Sequence, residues 1–138
     1  MTVLYLLDTN ILSDLVKNPS GHAAKRIRAV GEAAICTSII VAAELRYGCA
    51  RKGSPALTNK VEDILGAIRV LPIGGPADRE YGRIRAELEV VGRSIGPNDL
   101  LIAAHACALG ATMVTANVDE FTRVAGLQVE NWLQPLAD

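Results

Sequence analysis

Val3-Leu4-Tyr5-Leu6-Leu7-Asp8-Thr9-Asn10-Ile11-Leu12 opens the chain with an apolar run that stops at a carboxylate and restarts at helical spacing. The unbroken apolar character of residues 3–7 predicts a buried strand. Asp8-Thr9-Asn10 is a helix-start signal, and Ile11, Leu12, Leu15 and Val16 then share one helical face. A strand passing directly into a helix is the unit of parallel α/β folds. The carboxylate at the junction falls where such sheets place their sites, at the carboxyl ends of strands.

The same alternation continues along the chain. Asn18-Pro19-Ser20-Gly21 breaks the first helix, and a basic helix follows over Ala23–Val30 with Lys25, Arg26 and Arg28. Ala34–Thr37 reads as a second strand, and Ser38 caps a helix expected to end near Cys49. After the Gly53-Ser54-Pro55 break, Leu57, Val61, Ile64, Leu65 and Ile68 form a helical stripe. Val70–Ile73 is the third expected strand. Gly74-Gly75-Pro76 then leads into a long helix with Tyr81, Ile84, Leu88 and Val91 on one face, ended by Gly92. Gly96-Pro97-Asn98-Asp99 starts a largely apolar helix that stops at Gly110. Ala111–Thr115 is a fourth strand, Val118–Thr122 a turn or short helix, and Gln128–Glu130 an edge strand. Residues 1–138 read as one α/β domain with a mostly parallel sheet and helices on both faces.

Composition agrees. Half of the 138 residues are apolar, but only one Trp, one Phe and three Tyr are aromatic, so aliphatic side chains must build the core. The net charge of −1 gives no global basic field for nucleic acid, although local patches remain open. Cys36, Cys49 and Cys107 are odd in number and form no C-x-x-C pair, and His22 and His105 lie far apart. Free thiols in a reducing cytosol therefore fit better than a disulfide framework or a zinc site. Met1-Thr2-Val3 has no basic leader, and no apolar run reaches membrane-span length, so a cytoplasmic protein away from membranes is expected.

Carboxylates beside apolar segments carry the functional signal. Asp8 follows the first strand. Glu44 lies within Ile39-Ile40-Val41-Ala42-Ala43-Glu44-Leu45, Asp99 opens Leu100-Leu101-Ile102-Ala103-Ala104, and Asp119 and Glu120 follow Met113-Val114-Thr115. Each has a plain reading: a helix cap for Asp8, a helix N-terminal charge for Asp99, a snorkelling side chain for Glu44, solvated loop charges for Asp119 and Glu120. Together they suggest a shared divalent cation, because buried carboxylates need a partner, a proton or an ion. Mg²⁺ accepts oxygen ligands and keeps waters, so two or three carboxylates suffice. No Lys occurs after Lys60, which leaves Arg46 and Arg93 as candidate ion-pair partners instead of a metal. The missing late Lys also argues against a signalling receiver domain. A catalytically silent binding module stays open as an alternative. No phosphate-binding glycine loop or serine-hydrolase elbow occurs. His105 reads as a core or boundary residue, and Arg79, Arg83 and Arg85 interleave with acids as a solvated helix face.

Five stretches match a known family in order and spacing. They are Leu6-Leu7-Asp8-Thr9-Asn10-Ile11-Leu12-Ser13; Thr37-Ser38-Ile39 through Ala43-Glu44-Leu45-Arg46-Tyr47-Gly48; Ile95-Gly96-Pro97-Asn98-Asp99 through Ile102-Ala103-Ala104-His105-Ala106; Val114-Thr115 through Asn117 and Glu120-Phe121; and Val129-Glu130-Asn131-Trp132. The chain resembles PIN-domain ribonucleases of the VapC toxin type over nearly its whole length. The resemblance implies a PIN-like three-layer α/β/α sandwich and an endoribonuclease dependent on Mg²⁺, with Mn²⁺ as substitute, that cleaves RNA, transfer RNA being the leading candidate. It implies Asp8, Glu44 and Asp99 as the acidic site, with Asp8 and Asp99 holding the ion. Many members carry an Asp near the position of Asn117, so Asn117 ranks with the catalytic residues and Asp119 and Glu120 are substitutes for a fourth acid. Thr9 is implied to order Asp8. A cognate antitoxin is implied as well, lying in a groove beside the first and third or fourth helices and reaching the active site, and so is a toxin homodimer.

Overall fold

A computed structural model describes residues 3–135; Met1, Thr2 and 136–138 lie outside that range, so the domain assigned to 1–138 is described without its ends. The elements run β1 (Tyr5–Leu7), α1 (Thr9–Lys17), α2 (His22–Val30), a 3-10 turn (Glu32–Ala34), β2 (Ile35–Ser38), α3 (Ile39–Lys52), α4 (Pro55–Ala67), β3 (Arg69–Leu71), α5 (Ala77–Val90), α6 (Pro97–Leu109), β4 (Thr112–Val114), α7 (Val118–Phe121) and β5 (Val129–Glu130).

All four strand pairings are parallel, in the order β3-β2-β1-β4-β5. From β1 the chain moves outward to β2 and β3. It then crosses back to β4, beside β1, and continues to β5. Crossovers of this kind are right-handed, so reversing direction changes the face on which the helices lie. Helices before β3 and after it therefore cover opposite faces, giving the three-layer α/β/α sandwich. The reversal leaves a crevice between the ends of β1 and β4, the topological switch point of the sheet.

Local chemistry sets the boundaries. Asp8 caps α1 by accepting the Thr9 amide at 2.8 Å. Ser38 caps α3 at the Ile40 amide and Ser54 caps α4 at the Leu57 amide. Pro97 occupies the first turn of α6, where its missing N–H costs nothing. Gly110 closes the same helix in the left-handed conformation, φ +65°, which a Cβ would strain. Helix α3 runs to Lys52, beyond the Cys49 expected, because nothing in 50–52 breaks a helix before Gly53. Strand β3 spans Arg69–Leu71 instead of Val70–Ile73, since Pro72 has no N–H to offer the ladder.

The core is aliphatic and centred on the sheet: Leu6, Leu7, Ile35, Val41, Ile102, Met113 and Val114 are all buried. Trp132, fully buried, closes one side, with its ring 4.9 Å from that of Tyr5. The three cysteines are free; Cys36 and Cys49 are buried, and Cys107 only partly. No helix among the described residues is long and apolar enough to cross a membrane.

Candidate active site

The switch-point crevice gathers carboxylates from four elements. Asp8 stands at the end of β1 with its amide still on the sheet ladder, donating to the Val114 carbonyl at 2.9 Å. Its side chain is 3% exposed and points toward the adjacent strand end. There the Thr115 hydroxyl donates to Oδ2 at 2.7 Å, while Oδ1 takes the Thr9 amide. Asn10 braces the pair, accepting the Ala116 amide at 2.9 Å and lying 3.4 Å from both Asp8 Oδ2 and Thr115 Oγ1. Burial pushes the Asp8 carboxyl above its usual range, and the hydrogen bonds from Thr115 and Thr9 only partly restore the charged form.

Glu44 reaches the crevice because β2 ends beside β1 and α3 starts at once, which leaves Glu44 in its second turn. The Thr9 hydroxyl donates to Glu44 Oε1 at 2.7 Å, and Asn98 Nδ2 approaches Oε2 at 3.5 Å. Asp99 arrives in the first turn of α6, whose N-terminus faces the crevice because its C-terminus feeds β4. Glu120, on α7, accepts the Gly96 amide at 3.2 Å and shares a hydrogen bond with Asp99. Burial, then that hydrogen bond and the charges of Glu120, Asp8 and Glu44, raise Asp99 to about 8. Glu120 is lowered, chiefly because Asp99 donates to it. The carboxylates are thus linked in a chain, Asp8–Thr9–Glu44–Asn98, with Asp99–Glu120 beside it, and the crowding is relieved by a proton held on Asp99.

Asp8, Glu44 and Asp99 are brought together, and Thr9 bridges two of them, bonding Asp8 through its amide and Glu44 through its hydroxyl. The fourth carboxylate here is Glu120. Asn117 is exposed; its amide donates to Thr115 Oγ1 at 3.0 Å, and its side chain makes no hydrogen bond to the acidic group. Asp119 is exposed on α7 and makes no side-chain hydrogen bond to the acidic group. Arg46 pairs with Glu62 and not with Glu44, while Arg83 and Arg85 pair along α5 with Glu80, Glu87 and Glu89. Asn10, Asn98 and Thr115 were not singled out in the sequence as site residues. Their only signal was a short polar side chain next to a candidate acid or at a strand end. His105 is buried, 2.8 Å from Ser38 Oγ and away from the carboxylates.

The donor set is entirely oxygen, which suits a hard divalent cation. As placed, no three His, Cys, Asp or Glu side chains among the described residues converge closely enough to enclose an ion. Asp99 is engaged with Glu120 and within reach of the charges of Asp8 and Glu44.

The PIN domain family model matches residues 5–127, which span this parallel sheet and its switch-point crevice. The chain belongs to the PIN-domain family, in its VapC branch. It is 38% identical to Ribonuclease VapC2 of Rickettsia felis over 132 residues, covering 94% of this chain and 98% of the relative. It is 37% identical to the tRNA(fMet)-specific endonuclease VapC of Shigella flexneri, covering 93% and 97%. The solved structure of VapBC2 from Rickettsia felis, bound to a DNA fragment from its promoter, superposes with a TM-score of 0.86 at 35% identity, over 94% of this chain and 99% of that one.

Proposed function

We propose that this chain is a divalent-metal-dependent endoribonuclease and the toxin of a toxin–antitoxin pair. The observation that carries the reading is the placement of Asp8, Glu44, Asp99 and Glu120 around the switch point, two of them held by hydrogen bonds from Thr115, Thr9 and Asn98 and the other two linked to each other. Asp8 and Asp99 are the residues we assign to hold Mg²⁺ or Mn²⁺, with Glu44 and Glu120 flanking them. When bound, the ion supplies an activated water and stabilises charge on the phosphodiester. Thr115 and the Thr9 amide fix Asp8. The Thr9 hydroxyl turns Glu44 toward the same space. Asn10 ties the β1 end to the β4 end, so the two sides of the crevice move as one.

Transfer RNA is the substrate class we assign, supported by the name of the Shigella relative. The antitoxin is supported by the VapBC2 assembly. An apolar groove of about 240 Å³ lies among α1, α2 and α4, lined by Leu15, Ala24, Ile27, Ile64 and Ile68, and suits an apolar antitoxin segment. It includes α2, whereas the sequence suggested α1 with α3 or α4. A second copy of this chain completes the assembly, with exposed Tyr47, Val90 and Val91 as apolar candidates for that contact.

The test is incubation of purified protein with cellular RNA, with Mg²⁺ or Mn²⁺ restored after EDTA, and mapping of the new ends. Discrete metal-dependent cleavage is expected in transfer RNA. Undiminished cleavage in excess EDTA, or by a folded Asp99→Asn protein, would overturn the metal site.

A further inference from the structure

Three shallow depressions near the segment that follows β5 share lining residues, Gln134 between the first and second and His22 between the second and third. The first opens beside the acidic crevice, between Asn117 and Glu120 on one side and Arg123, Asn131 and Gln134 on the other. Gln134 also lines the second, opposite Lys25 and Arg26 of α2. His22 belongs to both the second and the third, which ends at Lys17. Along this path the first carries Asp119 and Glu120 with Arg123, the second the cations Lys25 and Arg26 with no carboxylate, and the third Lys17 with Asp14.

Two observations mark the cations as available. Lys17, Lys25 and Arg123 have no carboxylate at ion-pair distance among the described residues, unlike Arg46, Arg83 and Arg85. The buried side-chain nitrogens and oxygens without a hydrogen-bond partner, among the described residues, are the Nε atoms of Arg26 and Arg123. Both belong to side chains on this path. Arg123 gives one guanidinium N–H to the Ser94 carbonyl at 3.2 Å, and Arg26 lies over Trp132 with a 3.9 Å approach to Glu130. Each guanidinium thus keeps an N–H that no protein acceptor uses, and a guanidinium is the group whose geometry suits a phosphate.

We propose that this path is the track of the RNA backbone, a proposal that rests on the nuclease reading above. A metal in the crevice can hold only the phosphate beside it, and with four carboxylates there and a net charge of −1 the rest of the strand needs local cations to draw it in. A strand with its scissile phosphate at the crevice would pass Arg123, follow residues 131–135 and reach Lys25 and Lys17. The groove among α1, α2 and α4 is mostly apolar, with Arg28 and Glu32 as its charged side chains, and suits a protein segment better.

The test is fluorescence anisotropy with two labelled probes, an oligouridylate and unfractionated transfer RNA, on protein carrying Asp99→Asn so that the RNA stays intact. Lys17→Ser/Lys25→Ser is compared with Arg51→Ser/Lys52→Ser, which removes exposed cations at the far end of α3, and with Arg123→Gln. Over about 50 to 200 mM salt, Lys17→Ser/Lys25→Ser should lower the salt slope by about two and weaken both probes roughly tenfold. Arg123→Gln should lower the slope by about one, and the α3 pair should bind like the parent. Unchanged binding in the first two proteins, weakening confined to the α3 pair, or loss of antitoxin association with RNA binding intact would each overturn the track. If wild-type protein still cleaves RNA in those cases, the nuclease reading stands without the track. Wild-type protein that neither binds nor cleaves RNA would overturn both.

Discussion

Thr115 shows how a single hydroxyl orders the site. It donates to Asp8 and accepts the Asn117 amide, so it fixes the acid and the β4–α7 turn together. Thr115→Val keeps the shape and removes both bonds. RNA cleavage and metal affinity should fall about 10–100-fold, the usual effect of losing a hydrogen bond that orients a ligand, with the circular dichroism spectrum unchanged. Asp99→Asn should stop cleavage, yet leave the metal-free protein about as stable as before in urea near neutral pH, because the amide replaces a carboxyl that burial and its acidic neighbours already keep protonated. Glu120 and Asn117 can be told apart in the same assay. Glu120→Gln should impair cleavage strongly and Asn117→Ala only weakly, since only Glu120 bonds to Asp99. The reverse order would restore Asn117 to the place the family pattern gives it.

At the level of elements, His105 joins α6 to α3. Its Nδ1 lies 2.8 Å from Ser38 Oγ, and a hydrogen bond to the Pro72 carbonyl engages the ring further. Burial lowers its pKa more than the Pro72 bond raises it, so the folded protein keeps it neutral. The unfolded chain then binds the extra proton below about 6.5. Its contribution to stability is whole above that pH and is lost as pH falls through the folded value. Urea midpoints at about pH 7.5 and about pH 5.5 should therefore differ more for the wild type than for His105→Gln. Equal differences would assign the acid sensitivity to other groups. Trp132→Ala should cost about 3–5 kcal/mol in the same titration, because a fully buried ring is lost beside Tyr5. Periodicity and breakers made these elements legible: every expected helix and strand is present, with shifts of a few residues at Lys52 and Pro72. The carboxylates of the site were legible because acids stand out beside apolar runs. Asn10, Asn98 and Thr115 were not, since a neutral polar side chain gains meaning only from the partner that folding brings to it. The choice between Asn117 and Glu120 depended on how the β4–α7 turn is aimed, which no local pattern encodes.

Considered whole, the molecule presents different chemistry to different partners: an apolar groove among α1, α2 and α4, and an acidic crevice with cations leading away from it. Ile27→Asp in the groove should abolish co-purification with the co-expressed antitoxin while leaving RNA cleavage near wild type. Retained association would place the antitoxin elsewhere. The central strand also has a consequence for synthesis. β1 and Asp8 precede their β4 neighbour and the Thr115 bond to Asp8 by more than a hundred residues. A chain whose synthesis has not yet reached β4 has neither the hydroxyl that holds Asp8 nor the Glu120 that engages Asp99, so the proposed cleavage activity waits on the late third of translation.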